Sequence, residues 1–499
     1  MGKMDNPILR RILFNRMVKG FSGKRRDLER LVEYSNKYLD ADDSLSFFII
    51  GLDKSLKENT PFHEIFLRVG KELSNRYKKR ILTNLVYNHF YKGAAIRNEI
   101  RKDPQEKWMP NFVTISPTMR CNLHCTGCYS GLYLKDGELS ESELDSILTQ
   151  LKENGSYFVV ISGGEPWIMK DILLRLFKKH SDMFFLTYTN STLLDKETCK
   201  KLAKLGNVAA AISVEGWEEQ TDARRGKGMW NKIHTAMANL RKEGVLFGIS
   251  VTVTKQNFDV ITDEKLMEHF LDLGAIFGWF FQFMPVGKDP MLELMPTPEQ
   301  RVMTGKKVKE FRAKYPLFLA DFWNDGELVS GCLAGGRQYL HILNSGNVEA
   351  CVFAHFGVDN IRDKPLIDIF NSPFFKEIRS SFPYNENANL RRPCMIIDNP
   401  HVLRNAVHKH VAKEAHVGSE DIVNDEKVMK HIDNYSARVK ELIDDEWEKD
   451  INTPGFRWYK EEARYKKLWE FQSGKEIPAT VDNDSADAKK DQKGEPVEV

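Results

Sequence analysis

Cys121-Asn122-Leu123-His124-Cys125-Thr126-Gly127-Cys128-Tyr129 follows closely on the strand-like run Phe112–Ser116. Three thiols at gaps of three and two residues let one loop wrap one side of a cuboidal iron–sulfur cluster, because thiolates are soft ligands suited to iron and sulfide. A fourth iron would have no protein thiolate. Zinc is the plainer alternative, but structural zinc takes four protein ligands and only His124 stands locally as a fourth.

Around that loop the chain alternates short β-branched or aromatic runs with helical stretches, the pattern of parallel β/α architecture. The runs Phe112–Ser116, Tyr157–Ser162, Phe184–Thr189, Val208–Val214, Phe247–Val253 and Phe277–Phe283 read as strands. Helices are expected at Ser140–Asn154, Lys170–His180, Lys196–Leu205, Asn231–Glu243, Val260–Leu273 and Thr297–Lys314. The fold class is therefore α/β, a partial (β/α)6 TIM-like barrel, with its chemistry expected where the strands end.

The second strand candidate ends in Ser162-Gly163-Gly164-Glu165-Pro166, a tight glycine pair with a carboxylate beside it, suited to a cationic amino group. Together with the cysteine loop, this resembles the radical SAM enzymes, whose hallmark is a C-x3-C-x2-C loop after the first strand of a partial barrel and a GGEP motif after the second. The resemblance implies a 4Fe-4S cluster on Cys121, Cys125 and Cys128, whose open iron is chelated by the amine and carboxylate of S-adenosylmethionine. It places Gly163, Gly164, Glu165 and Pro166 at the amino group, Ser213 near the ribose, and Arg225 at the carboxylate, where a guanidinium fork is apt. Tyr129 joins the adenine side, and Thr189-Asn190 and Met284-Pro285-Val286-Gly287 are similar to further loop ends of the family, the latter meeting adenine through backbone. The family often has an aromatic residue before the third cysteine, whereas this chain has Gly127.

Cys332, Gly346 and Cys351, followed by Cys394, resemble the opening of the SPASM and Twitch auxiliary-cluster domains. A full SPASM module needs more cysteines, so one auxiliary cluster of Twitch type is the most the resemblance allows. Ile397 stands where a further cysteine would be, leaving His355, Asp398, His401, water or substrate as fourth ligand. Buried structural thiols are the alternative for this set. Cys199 reads as a core cysteine, and His401, His408, His410 and His416 read as surface residues.

The 499 residues divide into a helical segment 1–110, the barrel 111–320, a small α+β auxiliary-cluster domain 321–400, a helical extension 401–475 and a polar tail 476–499 expected to be disordered. Lys and Arg total 73 against 71 Asp and Glu, which gives no global case for a nucleic-acid or membrane partner. Residues 1–105 hold 22 Lys/Arg against 13 Asp/Glu, an excess read as a solvated helical face rather than a docking surface. The longest apolar stretch, Gly274–Gly287 with Gln282 inside it, is shorter than the roughly 18–20 residues of a membrane-spanning helix. With no signal-peptide pattern and three bunched cysteines, a reducing cytoplasmic location is expected.

The resemblance implies reductive cleavage of S-adenosylmethionine to a 5′-deoxyadenosyl radical, which abstracts hydrogen from a peptide, a protein or a small molecule. A reduced flavodoxin or ferredoxin-like protein would donate the electron, and a second, auxiliary iron–sulfur cluster would accept one or ligate substrate. The first 105 residues do not look like the winged-helix peptide-binding domain of peptide-modifying members. Two other classes remain: a non-catalytic iron–sulfur electron-transfer or scaffold protein, and a zinc-stabilised nucleic-acid binder. No pair of carboxylates stands out as acid and base.

Overall fold

The computed structural model describes residues 14, 21–38, 45–102, 107–131, 133, 135, 137–286 and 290–451. Gly287, the final part of the helical extension and the whole polar tail lie outside them. The six expected strands form as β1 (Phe112–Ile115), β2 (Phe158–Ile161), β3 (Phe184–Thr189), β4 (Val208–Val214), β5 (Phe247–Val253) and β6 (Phe277–Gln282), each parallel to its neighbour. Their runs are β-branched or aromatic, and most residues are buried on both faces, as a parallel sheet covered by helices requires.

The connecting helices begin where the sequence supplies caps. Ser140 and Glu143 close a reciprocal capping box at the start of Glu141–Glu153, and Thr297 with Gln300 does the same for Pro298–Lys314. The single helix expected over 260–273 is two, Phe258–Ile261 and Glu264–Asp272, because Asp263 caps a new start by accepting the Lys265 N–H at 3.0 Å.

A seventh parallel strand, β7 (Phe318–Asp321), extends β6. On the other side β8 (His341–Ile342) lies parallel to β1, and the antiparallel strands β9 (Asn347–Glu349), β10 (Phe356–Asn360) and β11 (Lys413–Glu414) follow. One eleven-stranded sheet therefore runs in the order β11-β10-β9-β8-β1-β2-β3-β4-β5-β6-β7, through both cysteine regions. After Cys332 the chain forms the antiparallel hairpin β8–β9, turning over residues 343–346, and later the helix Leu366–Phe370.

The amino-terminal helices have a small core of their own, around Leu28, Val32, Ile49, Leu52 and Leu56, and cover the amino ends of the barrel strands. Arg68 donates to the carbonyls of Ala275 (2.9 Å) and Pro316 (3.1 Å), Arg80 to Ser181 (2.7 Å) and Asn84 to Met183 (2.7 Å). Tyr77 donates to Val208, and Arg97 to Gly155. The expectation of a solvated cationic face needs correction at these positions: Arg68, Arg80 and Arg97 turn inward because carbonyls at the barrel's base need donors. Among the described residues, no helix is long and apolar enough to cross a membrane.

Candidate functional site

A cavity runs through the barrel from the cysteine loop towards its base, lined by side chains from all six expected strands and their exits. Cys121, Cys125 and Cys128 line its mouth, with Cys128 exposed and the other two half-buried. Burial pushes the Cys121 and Cys125 thiols up, and Arg225 opposes this at Cys125.

The glycine pair shapes this mouth by letting backbones touch. Gly163 has φ of 120°, and a Cβ there would stand 2.2 Å from the Thr118 carbonyl oxygen; one on Gly164 would be 2.2 Å from that of Arg120. The N–H groups of Gly164 and Glu165 donate to those same carbonyls at 3.0 and 2.8 Å, so they brace the segment leading into Cys121 rather than face a ligand. Gly163 and Gly164 line the cavity; Glu165 and Pro166 stand behind it. The Glu165 carboxylate, pushed up to about 7 by burial, accepts from Thr189 Oγ1 (2.8 Å), the Asn190 N–H (2.7 Å) and the Trp167 N–H (3.1 Å). Pro166 opens the short turn that follows. Asn190, positioned in this way, reaches Asn122 at 2.9 Å and Cys121 Sγ at 3.8 Å.

Ser213 lines the cavity from β4, and Arg224 and Arg225 line it from the last turn of the helix Glu218–Arg225 that follows. Both guanidiniums are held by Glu215, buried at 1% exposure: Arg224 at 2.6 Å and Arg225 Nε at 2.8 Å. Arg224 also exchanges hydrogen bonds with Thr126 inside the cysteine loop. The arginine expected at a ligand carboxylate is thus already paired. Tyr129 lines the cavity and meets Ser162 Oγ at 3.0 Å. The aromatic surface missing at Gly127 is supplied by Phe283: Gly127 has φ of 62°, and a Cβ on it would be 2.5 Å from the Phe283 ring.

Cys332, Cys351 and Cys394 gather behind the cavity wall, their immediate neighbours Leu333, Val352 and Phe353 forming part of that wall. Burial first, with a contribution from another of the three, pushes each thiol up to about 12. Bare thiolates are disfavoured here, and the donor set fits a group that takes up their charge. Among the described residues, no three His, Cys, Asp or Glu side chains are close enough to grip a single metal ion.

Asp398, a possible fourth ligand, is engaged by Arg301 (2.9 Å) and by the Cys394 N–H (2.9 Å). His401 is exposed, while buried His355 packs its ring against Tyr133 and His416 at centroid distances of 5.0 and 4.7 Å. His416 was expected at the surface and is 3% exposed, because Tyr133 and His355 arrive over it from other loops. His408 is exposed, His410 is half-buried, and Cys199 is a core cysteine at 0% exposure. Sequence reasoning missed the cavity roles of Tyr339, Phe353 and Gln282. For Gln282 a signal existed, a lone amide inside an apolar stretch.

Residues 115–270 match the radical SAM superfamily, and residues 332–395 match the SPASM iron–sulfur cluster-binding domain. The chain carries a radical SAM domain. It is 35% identical over 162 residues to Fe-coproporphyrin III synthase of Methanosarcina barkeri, covering 30% of this chain and 40% of that protein. The AdoMet-dependent heme synthase of the same organism is 26% identical over 299 residues, 54% of this chain and 85% of that one. Mycofactocin maturase MftC of Mycobacterium tuberculosis is 27% identical over 292 residues, 54% and 73% of the two chains. Streptococcus suis SuiB bound to S-adenosylmethionine shares the fold at a TM-score of 0.52 and 19% identity, over 76% of this chain and 88% of that one.

Proposed function

We propose that this radical SAM enzyme holds a 4Fe-4S cluster on Cys121, Cys125 and Cys128, binds S-adenosylmethionine in the barrel beside it, and abstracts hydrogen from a substrate lodged deeper in the same cavity. The observation that carries this reading is the convergence of the three thiols and the Gly163-Gly164 turn on one apolar cavity that runs through the barrel. When bound, the cluster supplies the electron that breaks a carbon–sulfur bond of S-adenosylmethionine, giving methionine and a 5′-deoxyadenosyl radical.

The chain's own residues position and protect. Gly163 and Gly164 let the exit of β2 pack directly on the backbone leading into Cys121, and Ser213 and Tyr129 offer hydroxyls along the wall. Glu165 acts through Asn190, locking the loop after β3 against the cysteine loop. Arg225 shares Glu215 with Arg224 and sets the charge beside Cys125. Rings from β6 and from the Phe353 segment exclude water and stray hydrogen donors. Cys332, Cys351 and Cys394 would hold one auxiliary cluster, and a reduced flavodoxin or ferredoxin-like protein would deliver the electron.

Anaerobic reconstitution with iron and sulfide, followed by S-adenosylmethionine and dithionite, tests the proposal. Wild type is expected to form 5′-deoxyadenosine, whereas a Cys121→Ala/Cys125→Ala/Cys128→Ala variant forms none and retains about four irons. A fully loaded wild type that neither binds nor cleaves S-adenosylmethionine would instead make the chain an electron-transfer or scaffold protein.

A further inference from the structure

Every residue of β1 to β6 that is not buried lines the cavity. On β3, Leu186 and Tyr188 face the lumen, while Phe185 turns outward onto Phe177 of the helix Lys170–Lys179, their ring centroids 4.4 Å apart. Tyr188 is the one half-buried residue of that strand, as Ser213 is of β4, and Ser250 and Thr252 are half-buried on β5. Exposure at these four positions is therefore exposure to the cavity. Their hydroxyls make no hydrogen bond to a described residue, and each keeps surface open to the lumen.

Of the four, Tyr188 carries its hydroxyl farthest from the wall, at the end of a rigid ring. That ring meets Phe281 edge to face at 5.6 Å. Because β4 and β5 lie between β3 and β6, this contact crosses the lumen rather than following the wall. The intervening strands permit the crossing by presenting small side chains, with Ala211 in register beside Tyr188 and Ser213 in register beside Ser250. Two residues beyond Tyr188, about 6.6 Å at the rise of a strand, Asn190 reaches Cys121 Sγ at 3.8 Å. Tyr188 thus stands one layer below the cysteine loop, in the part of the cavity read above as the place of the substrate. Burial pushes its phenol well above the ordinary range, so the group keeps its proton and offers a donor.

Among the described residues, the lining holds no lysine, histidine, aspartate or glutamate, and its two arginines are both engaged by Glu215 beside the cysteine loop. Around Tyr188 the walls are rings, with Phe281 also meeting Phe322 at 4.8 Å. An ionised group placed there would lose its hydration with no counter-charge to replace it. A neutral acceptor would instead gain the partner that the phenol lacks. We propose that Tyr188 is a specificity-determining residue, its hydroxyl donating a hydrogen bond to a neutral oxygen or nitrogen on an uncharged, largely apolar portion of the substrate. The inference rests on the catalytic reading above and narrows its substrate class. Ser250 and Thr252 face the same space and extend the hydrogen-bonding edge open to that portion.

The test uses reconstituted enzyme with S-adenosylmethionine and no reductant. Equilibrium dialysis is run with three probes built on one ring: acetophenone, ethylbenzene and benzoate. Acetophenone is expected to bind tightest and benzoate weakest. Tyr188→Phe, which keeps the ring and its contact with Phe281, should weaken acetophenone about fivefold, the value of one hydrogen bond, while moving ethylbenzene less than about twofold. The affinity for S-adenosylmethionine, measured on the same samples, should not change. Ethylbenzene reports the state of the cavity at large, so an equal loss of both neutral probes in the variant would show that the hydroxyl is not what the ligand meets. Equal binding of acetophenone and ethylbenzene to wild type, tightest binding of benzoate, no binding of any probe, or weakened S-adenosylmethionine in Tyr188→Phe with the probes unmoved would each overturn the assignment. The two readings fail separately, since absence of 5′-deoxyadenosine from the same wild-type preparation under dithionite sinks the catalytic one.

Discussion

Tyr129 and Phe353 meet edge to face, their ring centroids 5.2 Å apart at 69°. Tyr129 directly follows the third cysteine of the first set, and Phe353 lies two residues beyond Cys351 of the second. This ring contact therefore joins the two cysteine sets, and both rings line the cavity. Phe353 also packs on Trp323 at 5.6 Å. Replacing it by alanine removes a buried ring from the junction of barrel and auxiliary region. Phe353→Ala should lower unfolding free energy by about 3 kcal/mol in urea titrations. It should also hasten loss of iron to a chelator from both sites, whereas loss from one site alone would show the contact to be local.

Gly127 gives a sharper test of the cysteine loop, because its backbone is left-handed and the Phe283 ring fills the space of its missing Cβ. Gly127→Ala is expected to reduce iron incorporation at the first site severely. Gly226 also has positive φ, but a Cβ there would meet nothing within 4 Å, so Gly226→Ala should show backbone strain alone, on the order of 1 kcal/mol. Adding Phe283→Leu to Gly127→Ala should recover part of the lost iron, an interaction visible in a double-mutant cycle. Iron and sulfide counts that respond identically to both glycine substitutions would argue that φ, not the ring, decides the position.

The barrel was legible because its strands carry their own signature. Phe184–Thr189, Val208–Val214 and Phe247–Val253 form where the β-branched and aromatic runs begin and end. By contrast β7 is only Phe-Leu-Ala-Asp, with no β-branched residue, and exists because the β6 edge offers a partner. The capping role of the amino-terminal helices was hidden for a related reason: Tyr77 and Val208 are 131 residues apart. At the site, Cys121, Cys125 and Cys128 stood out by their spacing, and the glycine pair and the second cysteine set by resemblance to the family. What each charged side chain faces could not, since Arg225 and Glu165 are committed to partners that only the closed barrel brings beside them.

Thiol chemistry separates the seven cysteines in the cluster-free, reduced protein. Cys128 is exposed and should be alkylated first by iodoacetamide. Cys199, Cys332, Cys351 and Cys394 are each pushed up to about 12, chiefly by burial, so at pH 8 only about one molecule in ten thousand carries the thiolate at any one of them. Peptide mapping should find these four labelled at least about a hundredfold more slowly than Cys128, and at comparable rates once urea unfolds the chain. Rapid labelling of Cys199 in the folded protein would contradict its place in the core.

Asp321, at the end of β7, makes stability depend on pH in a direction opposite to that of most carboxylates. It is 1% exposed and accepts the N–H groups of Trp323 (3.1 Å) and Asn324 (3.2 Å). Burial first, and the neighbouring Asp325 second, push it from the ordinary 3.8 to about 6. The folded chain thus holds this proton more firmly than the unfolded one does. The stabilisation is fully present below about 3.8 and is lost as pH rises through about 6, because above that value a buried charge must be carried. Asp321→Asn removes the titration while keeping an acceptor. In urea unfolding from pH 5 to pH 8, the difference between variant and wild type should move steadily in favour of the variant, levelling off once Asp321 is ionised. Parallel profiles across that range would show that Asp321 is ionised throughout, and the charge repulsion with Asp325 would then have to be relieved by Arg312, which already pairs with Asp325.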